Sequence, residues 1–253
     1  MFKQVRNPKY IRFMKTMQTL ALGLALMGCL MPASAQKGPY DNNDFQIASV
    51  EVSQMKDLGI TVWEISVKGQ AGNTVPVPAG QLDGAPVLGY VFPTSLKSID
   101  VGFGSTEGIV ALALTSHPDF DDTPLWDENN DAIYDNDGIV WHPHWVVLVE
   151  DGRVAGGLSV KQFKKADQTV VLPPTNPGMP MYMDSPGYPV TTQKKAIRVV
   201  VPNYRINNQT GFKYDGVTAF MKVNTSEEGL PMLGVYQVYS VASGDLSLPF
   251  TVK

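Results

Sequence analysis

Cysteine is nearly absent: the 253 residues contain one, Cys29. A chain cleaved after Ala35 carries none, which excludes disulfides, a thiolate nucleophile and any Cys-ligated zinc or blue-copper centre. Sustained 3.6-residue apolar periodicity is missing after Gln36, so a helical bundle is excluded as well. The 23 glycines and 19 prolines agree with that, and their lack of a fixed period excludes collagen. Basic residues are missing where acids gather, with no Lys or Arg from Ser98 through Gly152. Five of the 20 basic residues lie in the first 35, leaving 15 against 24 acidic ones from Gln36 onward. A body of that charge argues against nucleic acid or an anionic lipid surface as the main partner. The chain also lacks the G-x-S-x-G elbow of serine hydrolases, and Gly102-Phe103-Gly104 leads into G-x-G-x-x-x-G rather than a dinucleotide fingerprint.

What is present begins with an export signal over residues 1–35. Lys3, Arg6, Lys9, Arg12 and Lys15 precede an apolar run from Leu20 to Met31, and Ala33-Ser34-Ala35 supplies the small residues that signal peptidase accepts. The competing reading is a lipoprotein signal, with Leu26-Met27-Gly28-Cys29 as an approximate lipobox and a lipid anchor on Cys29 as the only tie to a membrane. Both readings place the protein in the periplasm or outside the cell, the second as an outer-membrane lipoprotein.

Residues 36–253 read as a single all-β domain, an antiparallel β-sandwich, with a barrel as the second choice. Short β-branched or alternating runs are predicted as strands at 45–53, 60–68, 86–92, 109–115, 139–150, 169–172, 197–201, 217–223, 234–241 and 246–252. Turn signals such as Asp57-Leu58-Gly59 and Ser243-Gly244-Asp245 separate them. A long acidic loop interrupts the pattern near residues 117–138, and aperiodic loops of that length in a compact domain are usually functional.

All three histidines flank this loop: His117, His142 and His144. In a strand, His142 and His144 point to one face while Trp141, Trp145 and Val147 take the other, and the two Cα atoms are roughly 6–7 Å apart. If the strands before and after the loop pair antiparallel, His117 arrives beside His142. Pro143 cannot donate to a ladder, which predicts a sheet edge and an accessible site. The expected first shell is His117, His142 and His144, completed by Asp119 or Asp121. Because imidazole ligates only when neutral, affinity should fall as pH drops through about 6.5.

Two further groups stand out. Met179, Met181 and Met183 alternate, as soft thioether ligands that select copper(I) over zinc; the competing reading is a stripe of adaptable core filler. Asp127, Asn129, Asp131, Asp135 and Asp137 offer hard oxygens for calcium, without EF-hand spacing.

His142-Pro143-His144-Trp145 resembles the H-x-H-W of α-type carbonic anhydrases over four residues, and the stretch from Gly138 through His142, His144 and Glu150 to Gly156 resembles a first cupin motif. No third histidine follows His144, Glu150 is too far along, and the second cupin motif is missing, so no function is carried over from either.

The leading expectation is therefore an exported metal-binding protein for capture, storage or delivery. Copper is preferred, zinc is second, and a metal-handling protein is the macromolecular partner. A zinc-dependent hydrolase or lyase is one alternative. A calcium-stabilised module that binds carbohydrate or protein through Trp126, Tyr134 and Trp141 is the other.

Overall fold

The strand Ile60–Val67 shows how local pattern becomes architecture. Thr61, Trp63, Ile65 and Val67 are fully buried while their alternate neighbours are half-buried, so one face of the pleat meets a core and the other meets solvent. Pro86–Pro93 and Ile109–Ser116 behave differently. The first is buried along its whole length, the second from Val110 onward, as a strand must be when both its faces are covered.

The computed structural model describes residues 38–123, 127–134 and 136–253. The export signal, the lipobox and Cys29 lie outside the described residues, as do Trp126 and Asp135. The portion Lys37–Lys253 forms one compact unit.

In chain order the strands are β1 (Ile47–Met55), β2 (Ile60–Val67), β3 (Pro86–Pro93), β4 (Ile109–Ser116), β5 (His142–Glu150), β6 (Leu158–Val160), β7 (Met183–Asp184), β8 (Val190–Gln193), β9 (Ala196–Pro202), β10 (Lys213–Tyr214), β11 (Val217–Val223), β12 (Leu233–Val241) and β13 (Phe250–Thr251). Every pairing is antiparallel. The order β4-β3-β11-β12-β6-β5, with β5 also paired to β4, closes a six-stranded barrel. A four-stranded sheet, β1-β2-β9-β8, and a small β10-β13 ribbon complete the fold.

The all-β, antiparallel class is as expected, and the second choice, a barrel, is what the strands close into, with additional sheets. Closure depends on β4 meeting β5, and on two register shifts where β11 pairs with β12, since bulges bend a strand and raise its local twist. The barrel's outward residues Leu88, Tyr90, Leu112, Trp145 and Val147 join Trp63, Ile65, Ile197 and Val199 of the sheet in one core. Its inward residues, among them Val91, Ala113, Val146, Ala219 and Val235, form a second. Trp63 and Trp145 meet edge to face across the first core, with ring centroids 5.8 Å apart.

Two predicted strands fail for visible reasons. The stretch 169–172 joins no ladder, although Val171 O accepts from Gly104 N–H at 2.8 Å. The stretch 246–252 shrinks to β13 because Leu246 and Leu248 have φ of +61° and +53°, which no pleated strand accommodates.

Candidate metal centre

The register of β4 against β5 sets Thr115 opposite His142 and Ala113 opposite His144. Two residues beyond Thr115, His117 continues the ladder by donating its backbone N–H to Gly138 O at 2.8 Å. Period-2 alternation then puts all three imidazoles on the barrel's inward side, at one end. The expected antiparallel pairing is present and brings the three rings together.

Four atoms converge there. Nε2 of His117 and of His142 are 3.0 Å apart, and each is 3.1 Å from Asp122 Oδ1. His144 Nε2 is 3.4 Å from the same oxygen and makes no hydrogen bond. These ligand atoms all lie within 4.8 Å of one another. A tetrahedral ion with Zn–N and Zn–O distances of about 2.0–2.1 Å separates its ligand atoms by roughly 3.3 Å. The spacings between Asp122 and the rings match that edge.

The outer partners decide what the inner atoms present. His117 Nδ1 lies 2.8 Å from Phe120 O, and His142 Nδ1 lies 2.6 Å from Val140 O. A carbonyl oxygen only accepts, so in both rings Nδ1 carries the proton. The neutral rings therefore direct two bare Nε2 lone pairs at each other across 3.0 Å, an arrangement that requires a cation or an added proton between them. His144 Nδ1 is oriented by Ser185 Oγ at 3.0 Å. Phe120 stacks on His117 with ring centroids 3.9 Å apart and covers the site.

Burial drives the Asp122 carboxyl upward, but where added protons rather than a metal ion fill the cluster, the charges of His144 and His117 and hydrogen bonds from His117 and His142 outweigh it. Together they hold the group well below the usual carboxylate range.

Asp122 is the carboxylate that sequence reasoning missed. Asp119 turns away and accepts from Ala79 N–H at 2.9 Å and Gly80 N–H at 2.6 Å, which anchors the loop. Asp121 closes a local turn by accepting from Thr123 N–H and Oγ1 at 2.9 and 2.7 Å. Fixing those two neighbours leaves Asp122 to point inward. The one signal available was the doubled acid before a threonine, where the first member is a natural turn former.

Accessibility is corrected as well. His142–His144 has a ladder partner on β4 alone, since β5 meets β7 only from Trp145 and β6 only from Leu148, so the edge predicted from Pro143 is real. The rings are nevertheless buried to 1–2% exposure, because the segment Phe120–Asp122 folds across that edge.

The methionines come to the same end of the barrel. Met179, Met181 and Met183 line a void of about 20 Å³ together with His117, His144 and Asp122. Met181 and Met183 are buried in the inward core, and successive hydrogen bonds from Met181 N–H to Met179 O and from Met183 N–H to Met181 O keep the run compact.

Four of the proposed calcium ligands accept hydrogen bonds within their own loop, although Asp137 Oδ2 is buried without a partner. Asp127 accepts from Asp131 and Ala132 N–H, Asn129 Oδ1 from Asp131 N–H, Asp131 from Ile133 N–H and Asn136 Nδ2, and Asp137 Oδ1 from Asn129 N–H. Among the described residues, the histidine–Asp122 group is the only set of three or more His, Asp or Glu side chains whose ligand atoms converge closely enough to share an ion. Burial, with help from Asp137, Asp121 and Asp122, pushes Glu128 up to about 7. Of the sugar-stacking candidates, Trp141 is buried, packs on Tyr90 and donates Nε1–H to Gly72 O, whereas Tyr134 is exposed.

No protein-family model matches this chain, and neither the curated proteins nor the solved structures yield a similar one.

Proposed function

We propose that the protein holds one transition-metal ion at His117, His142, His144 and Asp122, as a closed centre for storage or for stabilising the fold rather than for catalysis. The observation that carries this reading is the pair of Nε2 lone pairs 3.0 Å apart, each ring fixed by a carbonyl behind it, with a carboxylate oxygen 3.1 Å from both. Four protein donors and near-complete burial leave no open coordination position, whereas a catalytic zinc keeps one for water. The hydrolase alternative therefore has less support. Three nitrogens at 3.1–3.4 Å around one carboxylate oxygen suit zinc, while copper(II) prefers tetragonal geometry.

A second reading retains copper, in its reduced form, on the strength of the three thioethers beside His117 and His144. The acidic loop enters both readings as the carrier of Asp122. The exported setting inferred from the first 35 residues goes with either.

Elemental analysis of the purified protein tests the proposal. One equivalent of zinc or copper is expected, lost in the double variant His142→Ala with His144→Ala and in Asp122→Ala, but retained in Asp119→Ala. Retention of copper that also requires Met181 selects the second reading. Absence of metal after loading, or equal retention in all variants, overturns both.

A further inference from the structure

The other end of the barrel is hollow. A cavity of about 300 Å³ runs inside the strands, with walls that include Val91, Ala113, Leu148, Ala219, Met221 and Val235. Protein interiors are normally packed as densely as organic crystals, so an open lumen of this size calls for an explanation. Two alanines, Ala113 and Ala219, sit on the inward faces of β4 and β11, on either side of β3, where larger side chains would fill the space.

The lining is chemically uniform. It contains no charged residue and no Phe, Tyr or Trp, and its polar side chains are few. Thr94 is engaged with Val110 O and Leu96 N–H, Ser95 accepts from Lys213 N–H, and at the closed end Thr115 contacts His142 while His144, the one imidazole of the lining, is held by Ser185 Oγ. Ordered water needs several polar partners, which this lumen does not offer, so its favourable occupant is apolar. The absence of aromatic walls suits a flexible aliphatic chain better than a stacked ring.

The mouth is built to match. Ile109, Val238 and Leu246 form an apolar rim and are 36–39% exposed. Leu246 and Leu248 both line the cavity with backbones in the left-handed region, at φ of +61° and +53°. That conformation is costly for leucine and is retained where surrounding structure or function imposes it. Here Ser243 Oγ accepts the Leu246 N–H at 3.0 Å, and the same hydroxyl donates to buried Asp215, which fixes the turn over the opening.

We propose that the barrel lumen is a binding site for a single uncharged, medium-chain aliphatic molecule that enters tail-first between Ile109 and Leu246. At about 30 Å³ per water-sized unit, the space takes on the order of ten non-hydrogen atoms. The lumen ends against His144 of the metal cluster, but its test alters none of His117, Asp122, His142 and His144, so its failure and the failure of the metal reading are distinguishable.

Calorimetric titration of the purified protein with 1-hexanol, 1-octanol and 1-decanol tests this. The expected result is one saturable site with a negative heat-capacity change and an affinity gain of about fourfold per methylene, levelling off near ten heavy atoms. Ala219→Phe, which fills the lumen, is expected to weaken 1-octanol binding at least tenfold. Leu246→Asp places a charge at an exposed rim position, leaves the core intact, and is expected to do the same should the lumen variant fail to fold. Heats that never saturate, or an affinity unchanged in both variants, mean adsorption to the surface and overturn the proposal.

Discussion

Removing metal from the protein is expected to lower its melting temperature by about 8–16 °C. The estimate follows from linkage. A ligand at roughly a thousand times its dissociation constant stabilises the fold by about 4.1 kcal/mol, and a domain of this size moves by about 2–4 °C per kcal/mol. The structural basis is the 3.0 Å approach of His117 and His142, whose lone pairs are stabilised against each other only when something positive lies between them. Without the ion, a buried Asp122 and three rings must share protons instead, and the contribution of Asp122 becomes pH-dependent. Its carboxyl lies below the ordinary range in the fold, so its stabilisation is present above that ordinary value and fades only as acid carries the pH through the lowered one. The assay is differential scanning calorimetry at pH 7.5 with zinc, with copper and with a chelator, repeated on His142→Ala. The wild type should show a metal-dependent transition and the variant a single transition indifferent to chelator. A wild type whose melting temperature ignores both metal and chelator, with His142→Ala equally stable, refutes the reasoning. The rings would then be ordinary core residues tied to carbonyls.

Two further outcomes are expected. A methyl group at Gly138 would stand 2.1 Å from Phe120 O and 2.7 Å from His117 O, so Gly138→Ala should destabilise by roughly 1–3 kcal/mol in denaturant titrations and release the metal, because it displaces the carbonyl that orients His117. Burial raises the Glu128 carboxyl from its ordinary 4.5 to about 7 in the fold, so whatever stability it contributes is present below pH 4.5 and lost as pH rises through 7. Glu128→Gln should therefore raise the melting temperature of the metal-free protein at pH 8 but not at pH 4.5. The effect should be about 1 kcal/mol, since Glu128 is only half-buried and solvent screens part of the interaction.

The histidine cluster was legible because strand geometry is strict. Once β4 and β5 pair antiparallel, alternation alone sends His117, His142 and His144 to one side. Asp122 was not legible, because side-chain direction in a loop has no fixed period. Which of Asp119, Asp121 and Asp122 points inward was settled by amides as far away as Ala79 and Gly80. Burial was misjudged for the same reason: Pro143 correctly marks an edge, but nothing local tells that Phe120 will lie over it. Barrel closure was only half visible. The continuous apolar runs of β3 and β4 signal strands covered on both faces, yet a second sheet and a closed lumen cover them equally well in sequence terms. Short β6, β7, β8 and β10 escaped because two to four residues leave too little alternation to read.

The β4–β5 junction has one more consequence. It is the seam at which the sheet returns to its own first edge, and the imidazoles sit astride it, one beyond the end of β4 and two on β5, with their carboxylate drawn from the chain that links the two strands. On the proposed reading, an ion in that cluster is a buckle on the cylinder. Ligand capture and the final zipping of the wall become one event, and amides along this seam should be the first to exchange when the buckle is undone.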